Sequence, residues 1–265
     1  MQDKLDTHII RSQLSAQALQ DFSTILAFPI IDSTNTYLLN LPELEQHSGY
    51  VCLAEQQTAG RGRQGREWVS PPMQNIYLSV LWKISATQNI SGLSLVVGMA
   101  ILNALKKINI HHAQIKWPND IVINNQKLAG ILLEIAHTQY VVIGIGLNVA
   151  MSLDTPVGQP WISTAQLTSR QVQRNEIVAH ILNALSEELH EFNLHGLQSV
   201  CMDWPNIDAL NNQTIHVQQG HQQLSGIAQG INAEGALLLC HENKQIALYS
   251  GEVTKITNKG SSLHS

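Results

Sequence analysis

The sequence is poor in charged residues and in cysteine. Only 13% of its 265 residues are Asp, Glu, Lys or Arg, which is about half the usual share. The three cysteines, Cys52, Cys201 and Cys240, lie far apart and form neither a CxxC metal pattern nor a disulfide framework. This cysteine usage is typical of a reducing compartment, so we predict a cytoplasmic protein.

Long apolar runs are also missing. No stretch approaches the roughly 18 apolar residues that a membrane-spanning helix needs, and residues 1–6 lack the basic-then-apolar order of a secretory signal. We therefore expect no membrane partner.

The net charge of −5 does not favour nucleic acid either. His111 and His112 are adjacent, but the sequence has no further His or Cys residues near them at metal-ligand spacing. This favours an exposed turn over a metal site.

Cations are scarce enough to be located one by one. Three of the six arginines fall in the segment Gly60–Arg66, where they alternate with glycine. Glycine lets a backbone approach a ligand closely, and guanidinium forks with exposed N–H groups can surround phosphate or carboxylate oxygens. The alternatives are a flexible basic surface loop and an RGG-like nucleic-acid segment. The spacing therefore indicates anion binding without naming the ligand.

Hydrophobic periodicity predicts an α+β body followed by a small all-β module. The predicted helices cover 9–26, 36–41, Leu93–Lys107, Asn175–Phe192 and 197–203. The predicted strands of the body are Ala27–Ile31, Tyr50–Ala54, Ile76–Lys83, Ala113–Trp117, Ile121–Ile123, Lys127–Ala136 and Tyr140–Val149. Residues 58–75 have no hydrophobic period and predict a long functional loop. Short glycine-split strands over 213–256 predict a small β-barrel. We divide the chain into an N-terminal helical extension (1–24), a catalytic domain (25–205) and a C-terminal domain (206–258).

Three further motifs carry polar groups into this body. In Lys116–Asp120, the Asn-Asp pair after a proline is most often structural, because such side chains tie down nearby backbone. In Lys127–Glu134, the leading lysine is usually solvated and gains a chemical role only if its ammonium points into a cleft. In Gly144–Asn148, two glycines interrupt a strand, which marks a bulge or the close approach of a ligand. No helix follows, so the last motif does not fit a dinucleotide fingerprint.

Taken together and in this order, the motifs resemble those of biotin–protein ligases, also called biotin–[acetyl-CoA-carboxylase] ligases. The residues that carry the resemblance are Ser33–Asn35, Gln57, Gly60–Arg66, Trp68, Lys116–Asp120, Lys127–Glu134 and Gly144–Asn148. The similarity runs from about residue 25 to residue 256 and includes Gly230, Gly235–Leu239 and Gly251–Val253 in the β module. The resemblance implies a mixed β-sheet catalytic domain of the biotin/lipoate ligase type, followed by a small SH3-like β-barrel.

The resemblance also implies a reaction and its participants. Such ligases use ATP and Mg²⁺ to join the carboxylate of biotin to AMP. They then transfer biotin to one lysine of a biotin carboxyl carrier protein domain of acetyl-CoA carboxylase. The resemblance leaves a homodimer open. Two alternatives are a lipoate–protein ligase, which shares the fold and the adenylate chemistry, and a non-catalytic biotin-binding regulator.

Site residues follow from the same resemblance. The residues implied in biotin binding are Ser33, Thr34, Asn35, Gln57, Arg61, Gly62, Arg63, Lys127 and Gly130, with Ile131 and Leu132 beside the apolar tail. The residues implied in nucleotide binding are Gly60, Arg61, Arg63, Trp68, Asn119, Gly144 and Asn148. The implied catalytic residues are Lys127, Arg63, Asp120 and Asn119. The sequence leaves open whether Asp120 orients the incoming lysine or holds Mg²⁺.

The chain departs from relatives of this kind in two places. Only 32 residues precede Ser33, fewer than the roughly 50 of a small domain, so we expect no DNA-binding winged helix and no DNA partner. Some relatives carry an arginine shortly after the Gly-Glu pair of the β module. Here that stretch is Val253–Ile256, so a cationic contact to the nucleotide would fall to Lys255 or be absent.

Overall fold

The computed structural model describes residues 3–84, 90–137, 139–168, 173–242 and 244–257. Residues 1–2 and 258, at the outer ends of the predicted first and last domains, lie outside the described residues. Seven strands form the larger sheet: β1 (Thr24–Phe28), β2 (Tyr50–Ala54), β3 (Ile76–Lys83), β4 (Gln114–Lys116), β5 (Asp120–Ile123), β6 (Gln126–His137) and β7 (Tyr140–Leu147). Their order is β1-β2-β3-β7-β6-β5-β4, with β1 parallel to β2 and antiparallel pairing elsewhere.

Six α-helices pack on this sheet within the described ranges: α1 (Thr7–Ser12), α2 (Ala16–Asp21), α3 (Thr34–Leu39), α4 (Leu93–Lys107), α5 (Arg174–His195) and α6 (Gln198–Ile207). Side chains of a strand alternate between its two faces. Along β7, Val141, Ile143 and Ile145 accordingly belong to the main core, to which α4 and α5 contribute their apolar sides. Tyr140 and Val142 belong to a second cluster with α3. The sheet therefore has one face closed by long helices and one face that only the short α3 partly covers.

The N-terminal helices pack on this body. Ile10 and Phe22 are fully buried in the main core. Arg174, at the start of α5, is 2% exposed and forms ion pairs with Glu55 (2.7 Å) and Asp3 (3.3 Å). Because a buried charge is costly unless it is paired, this network ties the N-terminal segment to α5 and to the end of β2.

The C-terminal module is a five-stranded antiparallel sheet. Its strands are β8 (Thr214–Gln219), β9 (Gln222–Ile231), β10 (Leu237–His241), β11 (Lys244–Leu248) and β12 (Glu252–Thr257), in the order β11-β10-β9-β8-β12. The indole Nε1 of Trp117 donates to the carbonyl oxygen of Gly235 (3.1 Å), so the module is joined to the larger domain beside β5. The predicted fold class, an α+β body with a mixed sheet followed by a small β module, is confirmed.

Several predicted elements have different bounds. The segment 9–26 forms two short helices rather than one, because Ser15 caps α2 by accepting a hydrogen bond from the Ala18 N–H. The first strand is Thr24–Phe28 and not Ala27–Ile31, and the next helix is Thr34–Leu39 and not 36–41. The last helix of the body, predicted over 197–203, is Gln198–Ile207. It therefore crosses the predicted domain boundary between residues 205 and 206.

Candidate active site

The open face of the large sheet carries a row of small and charged residues. Register places Tyr77, Gly146, Gly130, Asp120 and Lys116 side by side on β3, β7, β6, β5 and β4. Partners in register point to the same face. The two glycines in the middle leave a trough, and the two charged residues stand at one end of it.

Trp68 fills the trough above these glycines. A Cβ on Gly146 would lie 2.3 Å from Trp68 Cε2, and one on Gly130 would lie 2.8 Å from Trp68 Cζ3. No side chain can be added at this distance without moving the indole. The two glycines therefore allow the indole ring of Trp68 to lie directly on the sheet. This ring lines two cavities.

The Gly/Arg segment Gly60–Arg66 forms a folded-back loop that ends at Trp68. The Trp68 N–H donates to the Gly60 carbonyl (2.9 Å), and the Gly62 N–H donates to the Arg66 carbonyl (2.7 Å). The loop has an N-terminal leg, which begins at Gly60, and a C-terminal leg, which ends at Trp68. A Cβ at Gly60 would lie 2.5 Å from the Trp68 carbonyl oxygen, so the close approach of the two legs requires glycine there. This folding aims the three arginines at different walls of the site.

Each of these arginines contacts a different part of the protein. Arg61 pairs with Glu134 of β6 (2.9 Å). Arg63 donates to Asn119 Oδ1 (3.0 Å) and to the Gly251 carbonyl (3.3 Å), which belongs to the C-terminal module. Arg66 pairs with Glu252, also of that module. The loop thus bridges the large sheet and the C-terminal module across the site.

Two lysines complete the positive charge. Lys127 Nζ lies 2.8 Å from Asp120 Oδ1 and 5.3 Å from the centre of the Trp68 ring. Lys116 is directly opposite Asp120 in the β4–β5 pair. Burial lowers the pKa of Lys116, and burial likewise lowers the pKa of Arg63, with Asp120 opposing the shift in both cases. Desolvation of Lys116 and Arg63 therefore makes an added anion favourable beside them. Arg61, Arg66 and Lys127, each paired with a carboxylate, bring the number of cations at the site to five.

The opposite end of the site is polar but uncharged. Thr34 donates through its N–H (2.9 Å) and its Oγ1 (3.1 Å) to Gln57 Oε1. Ser33 caps α3 by accepting from the Thr36 N–H. Ser33 and Thr34 are each 3% exposed. Hydroxyl, amide and backbone groups at the start of a helix can bind a neutral polar ligand through hydrogen bonds.

The two ends share a cavity of about 400 Å³. Its lining includes every predicted site residue except Gly60 and Asn148. Gly60 instead allows the close approach of the two loop legs. Asn148 donates to the Lys127 and Ile162 carbonyls and lines a second cavity of about 270 Å³ on the other side of Trp68, together with Met151, Val157 and Trp161.

Gly144 lines the main cavity, where a Cβ would lie 2.3 Å from Asn35 Oδ1. This glycine therefore makes room for a protein side chain, and its implied contact with the nucleotide stays a prediction. Gly146, two residues on, also lines the main cavity and lies under Trp68.

Four further residues line the cavities although the sequence assigned them no role: Lys116, Gly146, Trp161 and Glu252. Glu134 lines neither cavity but pairs with Arg61. Lys116 is a charged residue inside a recognised motif, so a search for charges within the motifs would have found it. Lys255 is exposed and does not line either cavity.

The donor set bears on the expected Mg²⁺. Within the described ranges, no three His, Cys, Asp or Glu side chains are grouped so as to hold a metal ion. Mg²⁺ usually keeps several waters and binds one or two carboxylates together with substrate phosphates. Asp120, beside five cations that favour phosphate, fits that requirement.

Among the same described residues, no helix is long and apolar enough to cross a membrane.

Comparison with known proteins gives consistent matches along the chain. Residues 27–148 match the model of the biotin/lipoate A/B protein ligase family, and residues 211–255 match that of the biotin protein ligase C-terminal domain. The bifunctional ligase/repressor BirA of Escherichia coli is 38% identical over 227 residues, 83% of this chain and 70% of BirA. The biotin–[acetyl-CoA-carboxylase] ligase of Paracoccus denitrificans is 34% identical, over 78% of this chain and 90% of that ligase.

Solved structures agree with these matches. The biotin protein ligase of Aquifex aeolicus, determined in complex with biotin and ATP, superimposes with a TM-score of 0.77 at 26% identity, covering 88% of this chain and 98% of the other. The match spans the fold, both domains and the segments that build the site. The chain belongs to the biotin protein ligases, within the biotin/lipoate A/B protein ligase family.

Proposed function

We propose that this protein activates biotin with ATP to biotinyl-5′-AMP and transfers the biotinyl group to a lysine of a biotin carboxyl carrier protein. The observation that carries the proposal is the polarity of the main cavity. One end offers neutral hydrogen-bonding groups, and the other offers five cations under an arginine loop. A ligand with a neutral polar head and an anionic tail end matches this arrangement, and biotin is such a molecule.

Biotin is placed with its ureido head at the neutral end. Ser33, Thr34 and Gln57 have the donors and acceptors that a ureido carbonyl and its two N–H groups require. Ile131 and Leu132 line the middle of the cavity, where the apolar tail would lie. The carboxylate then points towards Lys127 and Arg63.

The nucleotide is placed on the other side of the Trp68 ring. The second cavity offers Trp68 and Trp161 as stacking surfaces for adenine, and Asn148 forms part of its wall. Lys127 lines both cavities, so its ammonium is within reach of the α-phosphate and of the biotin carboxylate. This shared lysine marks the place where the two substrates meet.

The chemistry requires charge neutralisation. A carboxylate oxygen attacks the α-phosphorus and pyrophosphate leaves, so anionic groups approach one another and charge grows in the transition state. Lys127, Arg63 and Lys116 are fixed cations at that point, and Mg²⁺, held by Asp120 and phosphate oxygens, would supply further neutralisation. The loop Gly60–Arg66 covers the cavity and excludes water, which protects the mixed anhydride from hydrolysis.

In the second step the acceptor lysine must reach the acyl carbon as a neutral amine. Its nitrogen attacks that carbon, the bond between the acyl carbon and the phosphate oxygen breaks, and AMP leaves with the electron pair. Asp120 lines the cavity beside the cationic end and would orient the incoming amine and accept the proton that it loses. The carrier domain is the proposed macromolecular partner, and the homodimer and the cytoplasmic location remain predictions.

One assay tests the proposal. The purified protein is incubated with ATP, Mg²⁺, biotin and an apo carrier domain, and the carrier is weighed by mass spectrometry. We expect biotin-dependent pyrophosphate release and a mass gain of one biotinyl group. Gain only with lipoate would make the protein a lipoate ligase, whereas biotin binding without pyrophosphate release would make it a non-catalytic regulator.

A further inference from the structure

A continuous set of hydrogen bonds connects the two legs of the Gly/Arg loop through the neutral end of the cavity. It begins at the C-terminal leg, where Ser70 Oγ donates to the Trp68 carbonyl (2.8 Å) and accepts from Gln57 Nε2 (3.1 Å). Gln57 Oε1 accepts from Thr34 (3.1 Å), and Thr34 Oγ1 contacts Ser79 Oγ (2.7 Å). The set therefore passes through Thr34 and Gln57, two of the three residues proposed to meet the ureido group.

It ends at the N-terminal leg of the same loop. Ser79 Oγ contacts Asn35 Oδ1 (2.5 Å), and Asn35 Nδ2 donates to Glu134 Oε2 (2.8 Å). The same Glu134 oxygen pairs with Arg61 Nη2 (2.9 Å). Ser79 is fully buried and Asn35 is 4% exposed, so this part of the set is sheltered from water.

The hydroxyl hydrogens in this set are fewer than the contacts they serve. Thr34 Oγ1 and Ser79 Oγ have one hydrogen each, but three oxygen–oxygen contacts link them with Gln57 Oε1 and Asn35 Oδ1. One contact must lack a hydrogen in any arrangement. A ligand that takes part in hydrogen bonding at Thr34 or Gln57 therefore changes which arrangement is favourable, as far along the set as Asn35.

The geometry points to Glu134 as a positioning residue that couples occupancy of the neutral pocket to the position of the Gly/Arg loop. This inference rests on the proposed function, because it takes the ureido group to be the occupant. Glu134 lines neither cavity, but it contacts two residues that line the main one. It acts by holding Arg61 and Asn35 with one oxygen atom, while Gly144 leaves the space that Asn35 requires.

Removal of this carboxylate should free the N-terminal leg of the loop. Arg61 is 41% exposed and its other contact is the short pairing of its backbone with Glu67, so the ion pair with Glu134 is its main side-chain anchor among the described residues. A looser loop covers the adenylate less well. We therefore expect faster release of biotinyl-AMP and weaker protection of the loop by biotin.

The test uses trypsin, because Arg61, Arg63 and Arg66 are all cleavage sites in the loop. Cleavage of the full chain within 61–66 is followed by mass spectrometry, with and without biotin, for the wild type, Glu134→Ala and Glu134→Gln. Glu134→Ala should be cleaved and should release biotinyl-AMP roughly three- to fivefold faster, the upper range for a partly exposed ion pair. Glu134→Gln keeps an oxygen for Asn35, so its cleavage and release rates should lie between those of the wild type and those of Glu134→Ala. Glu187→Gln, at an exposed position on α5, is the matched charge control.

The outcomes separate this inference from the proposed function. Wild-type cleavage and release rates in Glu134→Ala would overturn the positioning role even if the protein is an active ligase. If the wild type forms no adenylate, the cleavage rates without ligand still test the anchor. A double-mutant cycle with Arg61→Gln is read only from cleavage after Arg63 and Arg66, because the substitution removes the site at residue 61. The two substitutions should be non-additive in this rate, and simple additivity would overturn the pairing. An unchanged unfolding midpoint of Glu134→Gln guards against a loss of fold.

Discussion

At the scale of single residues, Lys127 is the group on which the proposed chemistry depends most. Its ammonium faces Asp120 at 2.8 Å, and the two side chains are 17% and 20% exposed. It also lies over the Trp68 ring, at the border of the two cavities. An ammonium in this position can be shared between a biotin carboxylate and a phosphate. Among the described residues, Lys127 and Arg66 are the cations that line both cavities.

We predict that Lys127→Ala lowers the rate of biotin-dependent pyrophosphate release by about 10²–10³, the range for loss of one preorganised electrostatic group. The variant also leaves Asp120 without its ion partner, which adds repulsion towards both substrates. Stopped-flow pyrophosphate detection gives the rate, and circular dichroism checks the fold. Lys255→Ala, at an exposed position outside both cavities, should retain the wild-type rate. If circular dichroism instead shows that Lys127→Ala is largely unfolded, and the part that remains folded turns over at the wild-type rate, Lys127 is a structural residue.

Residue pairs show where sequence reasoning reaches its limit. Lys127 could be singled out because the chain has few cations and this one begins an apolar strand. The role of Glu134 could not be found, because its partners Arg61 and Asn35 lie 73 and 99 positions away. Pairings at such separations depend on sheet register, which a motif does not specify.

At the scale of elements, β7 divides the site by means of two glycines. Gly144 and Gly146 point to the same face two residues apart. Gly144 makes room for Asn35, and Gly146 makes room for Trp68. Under the proposed function, Asn35 lies on the biotin side and Trp68 faces the nucleotide, so each glycine would serve a different substrate although both belong to one motif.

This arrangement predicts opposite effects for two neighbouring substitutions. Gly144→Ala would place a Cβ 2.3 Å from Asn35 Oδ1, so it should weaken biotin binding by about tenfold or more and affect ATP less. Gly146→Ala would place a Cβ 2.3 Å from Trp68 Cε2, so ATP binding should suffer more than biotin binding. Isothermal titration with each substrate measures both effects, and each variant is the control for the other. Equal losses for both substrates in both variants would contradict the division.

Elements with strong local signals were predicted well. The helix Leu93–Lys107 has the predicted bounds, because a continuous apolar pattern is preceded by Gly92 and ends in two lysines. The strands Ile121–Ile123 and Lys127–Ala136 were predicted close to the bounds of β5 and β6. Asn124 and Asn125 between them both adopt the positive φ that a two-residue hairpin turn favours. The N-terminal region was predicted as one helix, because the cap at Ser15 interrupts a periodicity that otherwise continues.

At the scale of the whole molecule, the C-terminal module takes part in the site. Its Gly251 carbonyl and Glu252 carboxylate hold Arg63 and Arg66, and its Gly235 carbonyl accepts from Trp117. The site is therefore complete only when the module is docked. The sequence predicted the module, but its docking could not be derived, because contacts between domains follow from shape rather than from periodicity.

The link between the two domains contains a buried acid. Asp208 follows α6 and is 4% exposed, and its carboxylate accepts from the Leu210 N–H (2.8 Å). Its backbone pairs with Ile115 of β4, so it joins the module to the strand that carries Lys116. Burial raises the pKa of Asp208 from 3.8 to about 6. The link is thus more favourable with this side chain protonated.

The sign of the resulting pH dependence follows from proton linkage. Between about pH 4 and pH 6 the folded state holds a proton at Asp208 that the unfolded state has lost, so the free energy of unfolding from this group falls as the pH rises. The contribution is fully present below the lower value and is lost above the upper one. Its size is at most about 3 kcal/mol, from a shift of roughly two pKa units.

We predict that Asp208→Asn removes this dependence. The amide keeps an oxygen for the Leu210 N–H but cannot ionise, so the variant should gain stability relative to the wild type as the pH is raised from 4.5 to 7.5. Urea titrations at several pH values give both free energies of unfolding. Asp203→Asn, at an exposed position on α6, controls for the general loss of one negative charge. If the difference between wild type and Asp208→Asn is the same at pH 4.5 and 7.5, the carboxyl at the domain link does not titrate in this range.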